Sequence, residues 1–301
     1  MKNAELIQFD KLELIKNKVF NTIDVSDNTR KEYFSRVNNF LQFIGQNELN
    51  EDSYLEYKRY LLRCEFYSAS TKNKYLMTSK VFLDGLFRLR LIPYKITDNV
   101  KGFTQSKLHK KEGLSDDDIG KIQRYCLTLE SSKSSLRLRA LMALFLFQGL
   151  RQIEVARLDI TDIDIKNKKA FVTGKGKHDK EQIHLHPNVV KILKEYIKAT
   201  KFREGALFRS ESNNSNGSRL TTKSIREIIK QVFNLLDIEG STHGFRHYFI
   251  TKLIKAYKGE LLTISKYSRH SSIQMLEVYN DEVIRESDLP RFYNVFNGIK
   301  I

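Results

Sequence analysis

The chain has 301 residues, and its 52 Lys and Arg against 36 Asp and Glu give a formal charge of +16. Apolar residues at 41% and charged residues at 29% exclude general disorder, and the longest apolar run, Ala140 to Phe147, falls far short of the roughly 18 residues that span a bilayer. A pI near 9.6, with basic residues spread along the chain rather than gathered on one amphipathic segment, makes nucleic acid the expected partner and argues against a membrane.

The length accommodates about two domains. Met1 to Leu14 carries charge where a signal peptide has an apolar core, so a cytoplasmic location is expected. The cysteines, Cys64 and Cys126, form no CxxC spacing and read as buried reduced thiols.

Residues 1–100 read as helices. Ser26 or Asn28 can cap a helix with Tyr33, Val37, Phe40, Leu41 and Ile44 on one side, ended by Gly45. Ser68 or Ser70 starts another, with Tyr75, Phe82, Leu83 and Leu86 inward. Between these apolar positions stand Arg30, Lys31, Arg36, Lys72, Lys74, Lys80, Arg88 and Arg90, which suit phosphate contacts along a duplex or an ordinary solvated face. From Pro93 to Gly113 the periodicity fades and the run Lys107, His109, Lys110, Lys111 appears, so residues 101–113 read as a linker.

Ser115 to Asp118 resembles a capping box ahead of Ile119, Ile122, Cys126 and Leu129. Ile160 to His186 breaks the helical pattern into short β segments, Ile163–Ile165, Ala170–Thr173 and Gln182–Leu185, with turns at Lys166–Lys168 and Gly174–Lys177. Helices resume at Pro187, at Thr221 or Thr222, and at Thr242, while Asn213 to Ser218 is a polar loop. The expected fold class is mainly α with a small antiparallel β-sheet in the C-terminal domain.

Two stretches carry chemistry. With Thr242 as cap, a helix places His243, Arg246 and His247 on one face while Phe245 and Phe249 point elsewhere. A His-xxx-His pair suggests zinc, but the Glu of an HExxH site is missing and Arg246 would set a positive charge beside the metal. A phosphate suits the set better, because a guanidinium fork holds two oxygens and imidazoles move protons. The second stretch, Gly149-Leu150-Arg151-Gln152-Ile153-Glu154, follows the most apolar helix and delivers Arg151 to an interior turn. Unpaired burial of that charge costs several kcal/mol, so it needs Glu154, a ligand anion, or both. Further on, His270 opens a short helical segment with Tyr279 near its end.

In the order Arg151, Lys175 in a Gly-Lys-Gly turn, His243-xx-Arg246-His247, His270 and Tyr279, the chain resembles the tyrosine recombinases, the lambda-integrase-like phage integrase family. Its size and layout are nearest the Xer-type and simple phage or transposon members. The resemblance implies a two-domain DNA clamp: a helical, SAM-like core-binding domain at 1–100, a catalytic domain at 114–282, and a tail at 283–301 that docks on a neighbouring protomer. It implies Tyr279 as nucleophile, Arg151, Arg246, His243 and His270 around the phosphate, Lys175 as general acid, and Glu154 and His247 as accessory groups. His243 is the expected proton carrier for Tyr279, His270 a donor to the phosphate, and Lys177 and Lys180 contacts to the DNA backbone. Strand cleavage through a 3′-phosphotyrosyl bond needs neither metal nor cofactor. The implied assembly is a monomer when free and a homotetramer on inverted-repeat half-sites. The sequence departs from the family at Ser268-Arg269, usually Leu-Gly, at Phe245, usually Leu, and at Leu276, often Thr. Arg269 reads either as added phosphate-binding charge or as a neutral surface residue. Competing readings are a type IB topoisomerase and a catalytically silent DNA-binding protein.

Overall fold

Ser26, Ser68, Ser115, Ser132 and Thr221 each sit in extended backbone and accept the amide N–H three residues on, which satisfies a donor that every helix start would otherwise leave orphaned. The computed structural model describes residues 9–45, 49–105, 113–174, 176, 179–211, 217–270, 272–277, 279 and 290. The chain divides into two compact units, residues 1–107 and 108–301.

In the first unit, α1 (Phe9–Asn21), α2 (Asp27–Ile44), α3 (Ser53–Arg63) and α4 (Ala69–Arg88) enclose one core. Val37, Phe40, Leu41 and Ile44 of α2 face Tyr54, Tyr57 and Leu61 of α3 and Phe82, Leu83 and Leu86 of α4. Each such side chain contributes about 1.5–3 kcal/mol on burial. Phe40 meets Tyr57 edge-on at 4.9 Å, and the Tyr57 hydroxyl donates to Asn39 at 2.7 Å, so burial of this ring leaves no polar group stranded.

The second unit begins with α5 (Asp116–Thr128), where Ser115 and Asp118 form the expected capping box. It continues through α6 (Lys133–Gln148), α7 (Gln152–Arg157), a 3-10 turn (Ile160–Asp162), β1 (Ile163–Asp164), β2 (Lys169–Thr173), β3 (Lys180–His184), α8 (Pro187–Thr200), α9 (Thr222–Leu235), α10 (Thr242–Ala256) and α11 (Leu261–Ser268). Residues 274–277 and 279 are also helical. The sheet is antiparallel in the order β1-β2-β3, with Ile163 opposite Ala170 and Thr173 opposite Lys180. The protein is therefore mainly α with a small antiparallel sheet. No described helix is long and apolar enough to cross a membrane.

Two details of this unit position the site. Helix α6 ends at Gly149 with φ +54, and the amides of Gly149 and Leu150 return to Phe145 and Leu144, which closes the helix and turns the chain outward at Arg151. A β-carbon at Gly149 would lie 2.3 Å from the Phe249 ring, so only glycine fits both the dihedral and the space. Helix α10 lies between two apolar clusters. Phe245 packs on Phe145 and Phe233 in the main core, while Ile250 and Ile254 join Ile264, Leu276 and Tyr279 in a second. Arg246 and His247 stand at the seam.

The structure adjusts several expectations. The position before α10 is held by Ser241 without a side-chain cap, and Thr242 is already helical and buried. Cys126 is only half-buried and Cys64 fully so; neither is paired. β3 starts at Lys180, two residues before the expected segment, because Lys180 continues the ladder opposite Thr173.

Candidate active site

Arg151 occupies the cap position of α7 in extended backbone. Its amide donates to Glu154 Oε2 at 2.8 Å and its Nη1 to Oε1 at 2.9 Å. Glu154 is 1% exposed and also receives Arg269 Nη2 at 3.1 Å. Burial by itself pushes the Glu154 carboxyl up, but the charge of Arg269 and the hydrogen bonds and charge of Arg151 outweigh it and hold it below the usual carboxylate range. The choice left open for Arg151 is thus answered in part by Glu154. One carboxylate serves more than one guanidinium, so positive charge is left over for an anion.

Arg246 is 2% exposed. Its Nη1 donates to the Gly149 carbonyl at the end of α6 and its Nη2 to the Ser268 carbonyl at the end of α11. Burial, then the charges of Arg151 and Arg269, pull it down to about 9, which leaves it protonated at neutral pH. Arg246 thus ties two chain turns together and brings its charge to where they meet.

His270 lies between these groups, with Nδ1 2.8 Å from Ser268 Oγ and Nε2 3.4 Å from Arg246 Nη2. A guanidinium can only donate, so Nε2 must accept and Nδ1–H donates to the serine. Burial, reinforced by Arg246, Arg151, Arg269 and His243, lowers His270 to about 4, so the imidazole is neutral at pH 7. An unfolded His titrates near 6.5, so between pH 6.5 and 4 the unfolded chain binds the extra proton and stability falls as the pH falls. Above pH 6.5 this contribution is fully present. Thermal melts at pH 7 and 4.5 should show a smaller acid loss for His270→Gln than for the wild type. Equal losses would assign the acid sensitivity to other groups.

Tyr279 is 7% exposed, with its hydroxyl 3.4 Å from His247 Nε2 and the two rings 5.1 Å apart. Burial pushes its phenol up to about 12 against the partial pull of Arg246. His243 meets the His247 ring edge-on at 4.7 Å and is itself exposed. The imidazole beside the tyrosine is therefore His247, one helical turn on from the His243 expected to carry the proton. Helical spacing puts both on one face; the position of residue 279 decides which is nearer.

Arg269 was the residue least readable from sequence. Its side chain is 5% exposed, which removes the reading as a surface residue. The one signal available was its place in a slot usually held by glycine, and Arg269 does adopt a left-handed φ of 54.

The remaining expected residues are scattered or outside the described set. Lys175 and Lys177 lie outside the described residues, as do nearly all of 283–301; beside Lys175, Gly176 has φ +74 and Arg157 donates to the Gly174 carbonyl at 3.1 Å. Lys180 is ion-paired to the buried Asp162. In the first unit, Lys31, Lys74, Arg88 and Arg90 are exposed, with Arg88 donating to Thr22 Oγ1 at 2.7 Å. Arg30 turns back to the Ile23 and Val25 carbonyls, Arg36 pairs with Glu32, Lys72 donates to the Leu62 carbonyl and Lys80 pairs with Asp84. Among the described residues no group of three His, Cys, Asp or Glu side chains could hold a metal.

Residues 113–284, more than half of the chain, match the phage integrase family. The chain belongs to that family. Among its relatives, a tyrosine recombinase of Synechocystis sp. is 25% identical over 275 residues, covering 85% of this chain and 87% of the relative. The tyrosine recombinase XerC of Lactobacillus delbrueckii subsp. bulgaricus is 24% identical over 221 residues, covering 70% and 72%. Among solved structures, a post-cleavage complex of the XerH site-specific recombinase with a palindromic difH substrate shares the fold. Its TM-score is 0.72 at 19% identity, over 94% of this chain and 84% of that one. A lambda integrase dimer bound to a COC′ core site gives a TM-score of 0.70 at 12% identity, over 92% and 78%. Within the phage integrase span, the buried guanidinium cluster and Tyr279 meet at the seam beside α10.

Proposed function

We propose that the chain is a site-specific DNA recombinase that cuts and rejoins strands with Tyr279 as nucleophile. The observation that carries this reading is the Tyr279 hydroxyl held beside His247, next to guanidinium charge that Glu154 does not fully neutralise. A phenol held at about 12 is ionised only to about one part in 100,000 at pH 7, so an adjacent base must take its proton. His247 accepts it and passes it toward His243. The Tyr279 oxygen then forms a bond to phosphorus while the bond to the 5′ oxygen breaks, and Lys175, as the resemblance implies, protonates that leaving oxygen. Arg151 and Arg246 stabilise the extra negative charge of the transition state, and His270, whose Nε2 accepts from Arg246, orients that guanidinium.

The product is a 3′-phosphotyrosyl ester, close in energy to the original diester. A 5′ hydroxyl from a partner strand can therefore reverse the attack without ATP or a metal. The domain at 1–100 supplies phosphate contacts through cations such as Lys31 and Lys74, and the tail at 283–301 links four protomers on paired inverted-repeat half-sites. Support for the tail's role is compositional: Val283, Ile284, Leu289, Phe292, Val295 and Phe296 make it more apolar than a free terminus.

A two-site recombination assay beside a supercoil-relaxation assay tests the reading. Recombinant product is expected. Relaxation without recombination would favour a type IB topoisomerase, and neither product a silent DNA-binding protein.

A further inference from the structure

Glu154 and Arg151 alone would form a closed ion pair, one carboxylate facing one guanidinium, with little positive charge left for a phosphate. Arg269 changes that balance. Its Nη2 shares Glu154 Oε2 at 3.1 Å, its Nη1 donates to the Tyr267 carbonyl at 3.1 Å, and its side chain is 5% exposed. The Gln148 and Gly149 carbonyls lie at 3.4–3.5 Å from its two terminal nitrogens. Its Nε–H is buried with no hydrogen-bond partner among the described residues. The backbone at Arg269 has φ 54, a conformation that a side chain disfavours and glycine accepts readily. An arginine thus occupies a strained, buried position that a smaller residue would fill more comfortably, and apart from the Tyr267 carbonyl its named contacts lead to the turn that carries Arg151.

We propose that Arg269 is a positioning residue for strand cleavage: by sharing the charge of Glu154 it frees the Arg151 guanidinium to face the scissile phosphate. This rests on the reading of Tyr279 as the nucleophile at this cluster. Buried charges act strongly because little water screens them, so dividing one carboxylate between two guanidiniums changes the field at the phosphate. The acceptors that hold Arg269 are the same turns that Arg246 ties together, so its loss also loosens where Arg151 points.

Arg269→Gly tests this, because glycine relieves the backbone while removing the charge, and Arg269→Lys keeps the charge. Single-turnover cleavage is measured on a nicked suicide duplex carrying either the natural scissile phosphodiester or a methylphosphonate, in which a methyl group replaces one non-bridging oxygen and removes the negative charge. On the phosphodiester, Arg269→Gly should cleave about tenfold more slowly than wild type with half-site affinity and melting temperature retained, and Arg269→Lys should recover most of the rate. On the methylphosphonate, the difference between wild type and Arg269→Gly should shrink toward none. An equal loss on both substrates, or no loss on the phosphodiester, overturns the proposal and leaves Arg269 a purely structural side chain. A wild-type protein that forms no adduct on the phosphodiester would overturn the cleavage reading itself, and this proposal with it.

Discussion

Tyr279→Phe is expected to fold, bind half-site DNA and form no covalent adduct with a nicked suicide duplex. The substitution removes one oxygen and keeps the ring, which stays in contact with Ile250, Ile254, Ile264 and Leu276. The lost hydrogen bond to His247 is long, at 3.4 Å, and its removal also ends the cost of burying a hydroxyl in an apolar cluster, so the melting temperature should move by the equivalent of less than about 1 kcal/mol. Chemistry, by contrast, loses its only attacking atom. Tyr293→Phe serves as the control and should retain the adduct. Denaturing gel electrophoresis of the trapped complex reads both outcomes, and an adduct that persists in Tyr279→Phe would move the nucleophile elsewhere.

The second large effect is expected at Arg246. Arg246→Lys keeps one positive charge, but an ammonium cannot reproduce the planar fork that reaches the Gly149 and Ser268 carbonyls together. One of these buried acceptors is left unsatisfied, which costs about 1–3 kcal/mol and lowers the melting temperature. The charge also shifts away from the phosphate at the moment negative charge develops, so single-turnover cleavage should fall by about 100- to 1,000-fold. Half-site affinity should change far less, because the +16 charge of the chain is distributed over both units. Cleavage within tenfold of wild type would show that the phosphate is held by other groups, and an unchanged melting temperature would show that the two carbonyls find water or other donors.

Local rules made much of this protein readable from its residues alone. A serine or threonine ahead of an apolar period marks the start of a helix because its hydroxyl completes the first turn, and Ser26, Ser68, Ser115 and Thr221 all do so. A spacing of three and four residues puts His243, Arg246 and His247 on one surface of α10 whatever surrounds them. The Arg151–Glu154 pair is equally local, since the capping geometry of α7 brings its members together. Local signals are thinner at α1 and α3, which carry no side-chain cap among their described contacts, so the sequence does not mark their individual bounds.

Contacts between residues far apart in the chain obey no such spacing rule. Arg246 reaches Gly149 across 97 positions and Arg269 reaches Glu154 across 115, and only the packing of α10 between its two apolar clusters brings these pairs within bonding distance. The same packing lets His247, rather than His243, stand beside Tyr279, because the Tyr279 ring enters the cluster formed by Ile250, Ile254 and Ile264 on that side of the helix. It also makes Arg269, which the sequence leaves open between a phosphate-binding and a surface cation, a buried partner of Glu154. The residue types that can do the chemistry are legible one by one, whereas the charge each presents depends on which others burial crowds against it, since desolvation and neighbouring ions act through space and not along the chain.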